Sequence, residues 1–232
     1  MKNGTFYGIG LGPGDPELVT LKALKALQKA DRIYTVLSRN AEQSVSDSIV
    51  RALPGISADP IPLEFTMSRS WDERLRKIGE HADSIAAELR KGLNCAFTTI
   101  GDPMTYSTCS YLLKALKQRI PDLKSEIVPG VNSWSALAAS VQEPLAEDTE
   151  ILRIIPSFIA GDPDFPENTS SILLKTYHTR DELLRKIPSD AEVWYGANLG
   201  LANETASTDR DRIGTLPEAY LSMLAVKRGK QS

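Results

Sequence analysis

The chain is poor in the residues that build metal and disulfide sites. Cys95 and Cys109 are its only cysteines, and His81 and His178 its only histidines. The two cysteines form neither a disulfide framework nor a CxxC pair, and so few soft ligands do not make a protein-built zinc or iron site. Any metal would arrive with a ligand. Excess charge is lacking too: 27 Lys and Arg stand against 30 Asp and Glu, a net charge of −3. That balance gives no general attraction to nucleic acid or to an anionic membrane. No apolar run reaches membrane-spanning length, so no membrane partner is expected. Met1-Lys-Asn-Gly runs almost directly into strand-like sequence without a charged-then-apolar leader, so a cytoplasmic location is expected. With 232 residues and 41% hydrophobic content, the chain can bury one large core or two modest ones.

Glycine, by contrast, is placed with a pattern. The apolar run Cys95-Ala-Phe-Thr-Thr-Ile100 stops at Gly101-Asp-Pro-Met-Thr-Tyr-Ser107. Such a run reads as a buried strand, with Asp102 and Pro103 opening a helix as N-cap and first residue. A lone Gly-Asp-Pro is ordinary strand-to-helix punctuation. Here Tyr7-Gly-Ile-Gly-Leu-Gly-Pro-Gly-Asp-Pro16 repeats the logic, with Asp15 as N-cap and Glu17 facing the helix dipole. After a third strand, Ser125-Glu-Ile-Val128, comes Pro129-Gly-Val-Asn-Ser133 and another helix. In an open parallel sheet, ligands bind at the carboxyl edge of the strands, so three such loops suggest one site.

Taken in order, Thr5 to Gly10 reads as the first strand and Pro16 to Ala30 as an amphipathic helix with Leu18, Leu21, Leu24 and Leu27 along one side. Arg32 to Leu37 is the second strand, which completes a βαβ unit. The glycine-rich turn looks like that of a dinucleotide fold, but the second strand ends in Leu37-Ser-Arg-Asn40 without the acidic residue that binds ribose. Position 13 of the frame is proline, and the Gly-Lys-Ser/Thr of a Walker loop is missing. A helix is expected from Ala41 to about Pro54. The prolines of Ala58-Asp-Pro-Ile-Pro-Leu-Glu64 exclude a central strand and leave an edge-like one. Trp71 to Lys91 has helical spacing with many charges, read either as a solvated face or as a basic rim, with Arg69, Arg74 and Arg76, for an acidic ligand. His81 reads as a surface residue. Helices are expected over Met104 to Gln118 and Ser133 to Ser140.

Beyond this point strands outnumber helices: Leu152 to Ile155, Ser171 to Tyr177, Ala191 to Tyr195 and Tyr220 to Val226, with one helix from Thr179 to Ile187. The change of pattern suggests a second, mixed-sheet domain, with the boundary near Gly130. The expected fold class is α/β in two domains, 1–130 with a mostly parallel sheet and 131–232 with a mixed one.

Three segments in order carry a resemblance: Gly10-Leu-Gly-Pro-Gly-Asp-Pro-Glu-Leu-Val-Thr-Leu-Lys-Ala23, Gly101-Asp-Pro-Met-Thr-Tyr-Ser-Thr-Cys-Ser-Tyr-Leu112 and Val128-Pro-Gly-Val-Asn-Ser133. Together they resemble the tetrapyrrole methylase family. The extended central signature and Leu145-Ala-Glu-Asp-Thr-Glu-Ile-Leu152 are similar to the C20-methyltransferases of corrin biosynthesis, which act on precorrin-2 or cobalt-factor II. The resemblance implies two α/β domains with the cofactor S-adenosylmethionine folded into a cleft between them, cobalamin biosynthesis as context and a homodimer as assembly. By motif, Pro13, Gly101, Asp102, Thr105, Asn132 and Ser133 would hold the cofactor, and Leu174 falls where many relatives place a methionine beside the adenine. Departures lie toward the end: Tyr195-Gly-Ala-Asn198 where such enzymes tend to show Tyr-x-Glu-Arg, and Ala219-Tyr-Leu-Ser222 where Pro-Tyr-Phe-Ser is usual.

A sulfonium methyl is already activated, so the protein's task would be orientation and exclusion of water, without a nucleophilic side chain. Tyr106 either positions the macrocycle, mediates loss of the C20 proton, or simply packs. The tetrapyrrole's carboxylate arms call for cations, for which Arg39 and Lys175, then Arg69 and Arg153, are the candidates, each of them otherwise a surface cation. Cobalt, if present, would sit in the macrocycle. Other branches of the same fold, acting on ribosomal RNA or the diphthamide precursor, and a non-catalytic tetrapyrrole-binding module are the alternatives.

Overall fold

A computed structural model describes residues 2–38, 44–65, 70–156 and 163–229. The chain divides into two compact units, Met1–Asn132 and Ser133–Ser232.

In the first unit the elements are β1 (Thr5–Gly10), α1 (Leu21–Leu27), β2 (Arg32–Ser38), α2 (Val45–Ala52), β3 (Pro60–Phe65), α3 (Trp71–Arg90), β4 (Cys95–Thr99), α4 (Thr108–Arg119) and β5 (Lys124–Val128). The five strands form one sheet in the order β3-β2-β4-β1-β5, and every pairing is parallel. Helices cover both faces, which is why the central strands read as continuous apolar runs. On one face Phe6, Tyr34 and Phe97 pack with Ile85 and Leu89 of α3 and Leu112 and Leu116 of α4. On the other, Tyr7, Ile9, Ile33 and Ala96 meet α1 and α2 through Ala23, Leu27, Ile49 and Val50. Each fully buried Leu, Ile or Phe contributes about 1.5–3 kcal/mol.

Local chemistry explains the element ends. Ser70 caps α3 by accepting from Glu73 N at 3.4 Å, and the buried stripe Ile78, Ala82, Ile85, Ala86 and Leu89 follows the helical repeat. Pro60 and Pro62 have the same parity, so the N–H groups they lack belong to the outer side of β3, which is an edge strand. His81 ties α3 to β3, its Nε2 2.9 Å from the Glu64 carbonyl and its ring edge-on to Phe65.

Two helix boundaries differ from the sequence expectation. The stretch from Pro16 to Ala30 is broken into a 3₁₀ turn, Pro16–Leu18, capped by Asp15, and α1, capped by Thr20, whose hydroxyl accepts from Ala23 N at 3.1 Å. The buried residues are therefore Ala23, Ala26 and Leu27, while Leu21 is 74% exposed. Likewise Asp102 does not cap the helix after β4. A turn fills 103–106, and Ser107 caps α4 by accepting from Cys109 N at 3.2 Å.

The second unit holds α5 (Ser133–Val141), β6 (Ile151–Pro156), β7 (Thr169–Leu174), α6 (Arg180–Lys186), β8 (Glu192–Ala197), β9 (Thr205–Ser207), α7 (Arg210–Ile213) and β10 (Ser222–Arg228). Its sheet runs β6-β7-β10-β8-β9, with only β6 and β7 parallel. Strand β9 and helix α7 are too short to carry a periodic signal, and the sequence reading passed over both. Arg210, which begins α7, donates to the carbonyls of Leu184, Ile187 and Pro188 and so closes the carboxyl end of α6. Among the described residues no helix is long and apolar enough to cross a membrane.

Candidate cofactor-binding loops

Strands β4, β1 and β5 are neighbours and all parallel, so the three loops that follow them leave the same edge of the sheet. Backbone contacts then lock the loops together. Leu11 N donates to Thr99 O at 2.9 Å and Gly101 N to Gly12 O at 2.7 Å, which forms an isolated antiparallel bridge between Gly12 and Gly101. Both glycines have positive φ, +77° and +69°. A Cβ on Gly10 would lie 2.5 Å from Gly101 O and 2.6 Å from Gly130 N, and one on Gly130 would lie 2.1 Å from the same oxygen. Only glycine allows three backbones to approach this closely.

Asp102 completes the junction. Its Oδ1 accepts from Met104 N at 2.9 Å and from Thr105 Oγ1 at 3.2 Å, while Oδ2 accepts from Gly130 N at 3.3 Å. One carboxylate thus shapes its own loop and ties it to the loop after β5. Ser107 Oγ stands 3.4 Å from Thr99 Oγ1, which holds the far end of the same loop against β4. Below the loop, burial and the Asp102 charge push the Cys109 thiol up to about 12, so it is a protonated core residue and not a nucleophile.

These contacts leave a defined surface. A Cβ placed on Gly101 would meet nothing within 4 Å, so the space beside this backbone is open to a ligand. Pro13 is buried in the first loop, Asn132 is half-buried at the end of the third, and Thr105 and Tyr106 are exposed in the second. Tyr106 has φ +50° and is 54% exposed. A bulky residue held in the left-handed region marks a constrained position of the kind found at ligand sites. The first unit therefore brings Pro13, Gly101, Asp102, Thr105, Tyr106 and Asn132 to one edge.

The other expected site residues fall elsewhere. Arg39 and Arg69 lie outside the described residues. Ser133 opens α5, and Leu174, half-buried at the end of β7, packs against Ile172 and Met223. Lys175 follows it, exposed and with φ +61°. Arg153 is engaged by Asp164, with Nη2 2.9 Å from Oδ1, and this pairing holds the Asp164 carboxyl below the ordinary range. The sequence reading missed the interlock of Gly10, Gly101 and Gly130. Its signal, a glycine at or just after the end of each of three strands, was visible, but only the strand order makes those glycines neighbours.

An open parallel sheet with glycine loops fused at its carboxyl edge defines a ligand-binding α/β protein. Residues 5–216 match the model of the tetrapyrrole (corrin/porphyrin) methylases, and the chain belongs to that family. It is 34% identical to a probable cobalt-precorrin-2 C(20)-methyltransferase of Methanocaldococcus jannaschii, over 97% of this chain and 96% of that one. It is 35% identical to the cobalt-precorrin-2 C(20)-methyltransferase of Salmonella typhimurium over 75% of this chain and 74% of that one. Among solved structures, a cobalt precorrin-4 methyltransferase superposes with a TM-score of 0.70 at 22% identity, covering 96% of this chain and 94% of that one. A uroporphyrin-III C-methyltransferase of Thermus thermophilus, complexed with S-adenosylhomocysteine, gives 0.65 at 19% identity over 97% of each chain. These two likenesses concern the fold.

Proposed function

We propose that the chain is an S-adenosylmethionine-dependent C-methyltransferase that methylates C20 of cobalt-factor II or precorrin-2 in cobalamin biosynthesis. The observation that carries this reading is the 34% identity that spans 97% of the chain and 96% of the Methanocaldococcus jannaschii relative. The fused glycine loops supply what such a reaction needs from a protein. Gly101 offers open backbone, and Asp102, pinned by three donors, keeps that backbone in place. Pro13, Thr105 and Asn132 would complete the cofactor's seat in this unit; Ser133 and Leu174 are further candidates by motif. The cofactor, when bound, supplies an activated methyl on positively charged sulfur.

The remaining work is orientation and exclusion of water, for which a rigid junction suits better than a mobile one; orientation of this kind supplies roughly 7 kcal/mol or more. Tyr106, exposed beside Asp102 and Thr105, positions the macrocycle or mediates loss of the C20 proton. Lys175 and Arg153, with Arg39 and Arg69, are the candidates for the carboxylate arms; Arg153 would have to exchange its Asp164 partner for substrate. The same reading includes a cytoplasmic location and a homodimer; the family resemblance supports the dimer, and light scattering on the purified chain checks it.

The test is methyl transfer from labelled S-adenosylmethionine, with cobalt-factor II and metal-free precorrin-2 offered in parallel and the methylated position read by NMR. Transfer to C20 is expected, and the faster substrate assigns the cobalt-early or cobalt-late route. Binding of S-adenosylhomocysteine without transfer to either substrate would overturn the substrate assignment, and tetrapyrrole binding without a cofactor site would identify a non-catalytic module.

A further inference from the structure

The two edges of the first sheet are built differently. The outer side of β3 is blocked by Pro60 and Pro62, whereas β5 is also an edge strand and contains no proline. Among the described residues no strand pairs with its outer side. Alternation along β5 sends Ile127 toward α4, where it packs with that face's core, and turns Lys124, Glu126 and Val128 to the α1 face.

On that face, α1 and β5 border a groove of about 400 Å³, lined by Tyr7, Leu21, Lys22, Lys25, Lys29 and Glu126. Lys22, Lys25 and Lys29 recur at helical spacing along α1 and the turn after it, which puts three like charges on one side. Glu126 is the one carboxylate in the lining, and Lys22 takes it at 2.8 Å. At the amino end of β5, the Lys2 ammonium beside it holds Lys124 below the ordinary lysine range. Three lysines thus line the groove around one carboxylate, and Lys124 and Lys2 add two more at the amino end of β5, in a chain whose net charge is −3. Leu21, 74% exposed, adds an apolar foothold in the same groove.

We propose that the open edge of β5 and the lysine groove beside it form a docking surface for an extended acidic segment of a partner protein, added to the sheet as a further strand. Main-chain bonds to β5 supply affinity, as in strand addition generally, and the lysines select acidic side chains on the α1 face. Charge complementarity argues for this occupant: lysines on an edge repel basic strands and are costly to desolvate against neutral ones, so they discriminate among partners while leaving the edge open to an acidic one. This surface is separate from the glycine loops at the carboxyl edge.

The test uses the full-length protein and a fluorescein-labelled peptide of alternating Glu and Val with one central Leu, followed by fluorescence anisotropy. Saturable binding is expected, weakened at least about tenfold by the triple variant Lys25→Glu, Lys29→Glu and Lys124→Glu, with methyl transfer unchanged. Two further peptides carry N-methyl groups on alternate backbone amides, one on the odd set and one on the even set. One of the two should lose binding, because a strand added to an edge donates from a single set of amides. The proposal is overturned if the acidic peptide does not bind, if the triple variant binds it equally well, if both N-methylated peptides bind like the parent, or if inorganic pyrophosphate displaces it at equal concentration. The last result would make the groove a small-anion patch, and the absence of peptide binding would leave the lysines as guards against edge aggregation.

Discussion

Gly101 and Gly130 sit about the same junction for opposite reasons. Gly101 is glycine because its φ is +69°, with open space beside it; Gly130 is glycine because a Cβ there would stand 2.1 Å from a backbone oxygen. Gly101→Ala should therefore fold, lose about 1–2 kcal/mol for the left-handed backbone, and weaken S-adenosylhomocysteine binding about tenfold or more as the methyl enters the ligand's space. Gly130→Ala must shift a backbone and should cost about 3 kcal/mol. Thermal melts and calorimetric titration check both, and equal losses of stability would contradict the geometry. The sequence exposed these glycines as a repeated motif, and the parallel sheet that makes them neighbours was expected from it. It could not show that Asp102 spends both carboxylate oxygens inside and between loops, because Gly130 N is distant in the chain. A Gly-Asp-Pro after a strand looks like a helix cap whether or not the helix begins there.

Among the elements, α1 shows how a leucine repeat can point to the wrong face. Leu18, Leu21, Leu24 and Leu27 fall three apart, a spacing that drifts by about 60° per step around an α-helix and so cannot keep all four on one face. Thr20 restarts the helix and leaves Leu18 in a separate 3₁₀ turn, so the sheet is met by Ala23, Ala26 and Leu27. Alanines let the helix approach closely, a preference that a search for large apolar residues overlooks. Leu27, 1% exposed, should lose about 2–5 kcal/mol on substitution by alanine. Leu21→Gln should stay within about 0.5 kcal/mol of the parent. Urea denaturation of the two variants decides which leucine faces the core. The longer elements were legible because their signals do not depend on such breaks: α3 carries a serine cap and five buried residues at helical spacing, and the prolines of β3 announce an edge.

At the scale of the molecule, the two units carry separate cores, and both cysteines belong to the first. Cys95 and Cys109 are pushed from an ordinary value near 9.0 up to about 12, in each case chiefly by burial, with the charges of Glu88 and Asp102 adding to it. A thiol whose folded value is raised stays protonated in the native state while the unfolded chain has already lost its proton. Its contribution is thus fully present below about pH 9 and is lost as pH rises toward 12. Each group sets a slope of about 1.4 kcal/mol per pH unit in that window, so the pair should erode the first unit by about 2.8 kcal/mol per pH unit. The second unit has no cysteine and lacks this source of alkaline loss. Trp71 lies in the first unit, and Trp194, 3% exposed, in the second. Variants whose sole tryptophan is Trp71 or Trp194, with Trp134 replaced in both, should report the two units separately in urea titrations from pH 7 to 11. The Trp71 midpoint should hold to about pH 9 and then fall, and Cys95→Ala with Cys109→Ala should flatten that fall although both lower the starting stability. A Trp71 midpoint that declined equally steeply without the two thiols would assign the alkaline loss to other groups, Tyr34 first among them, since burial raises its hydroxyl in the same core.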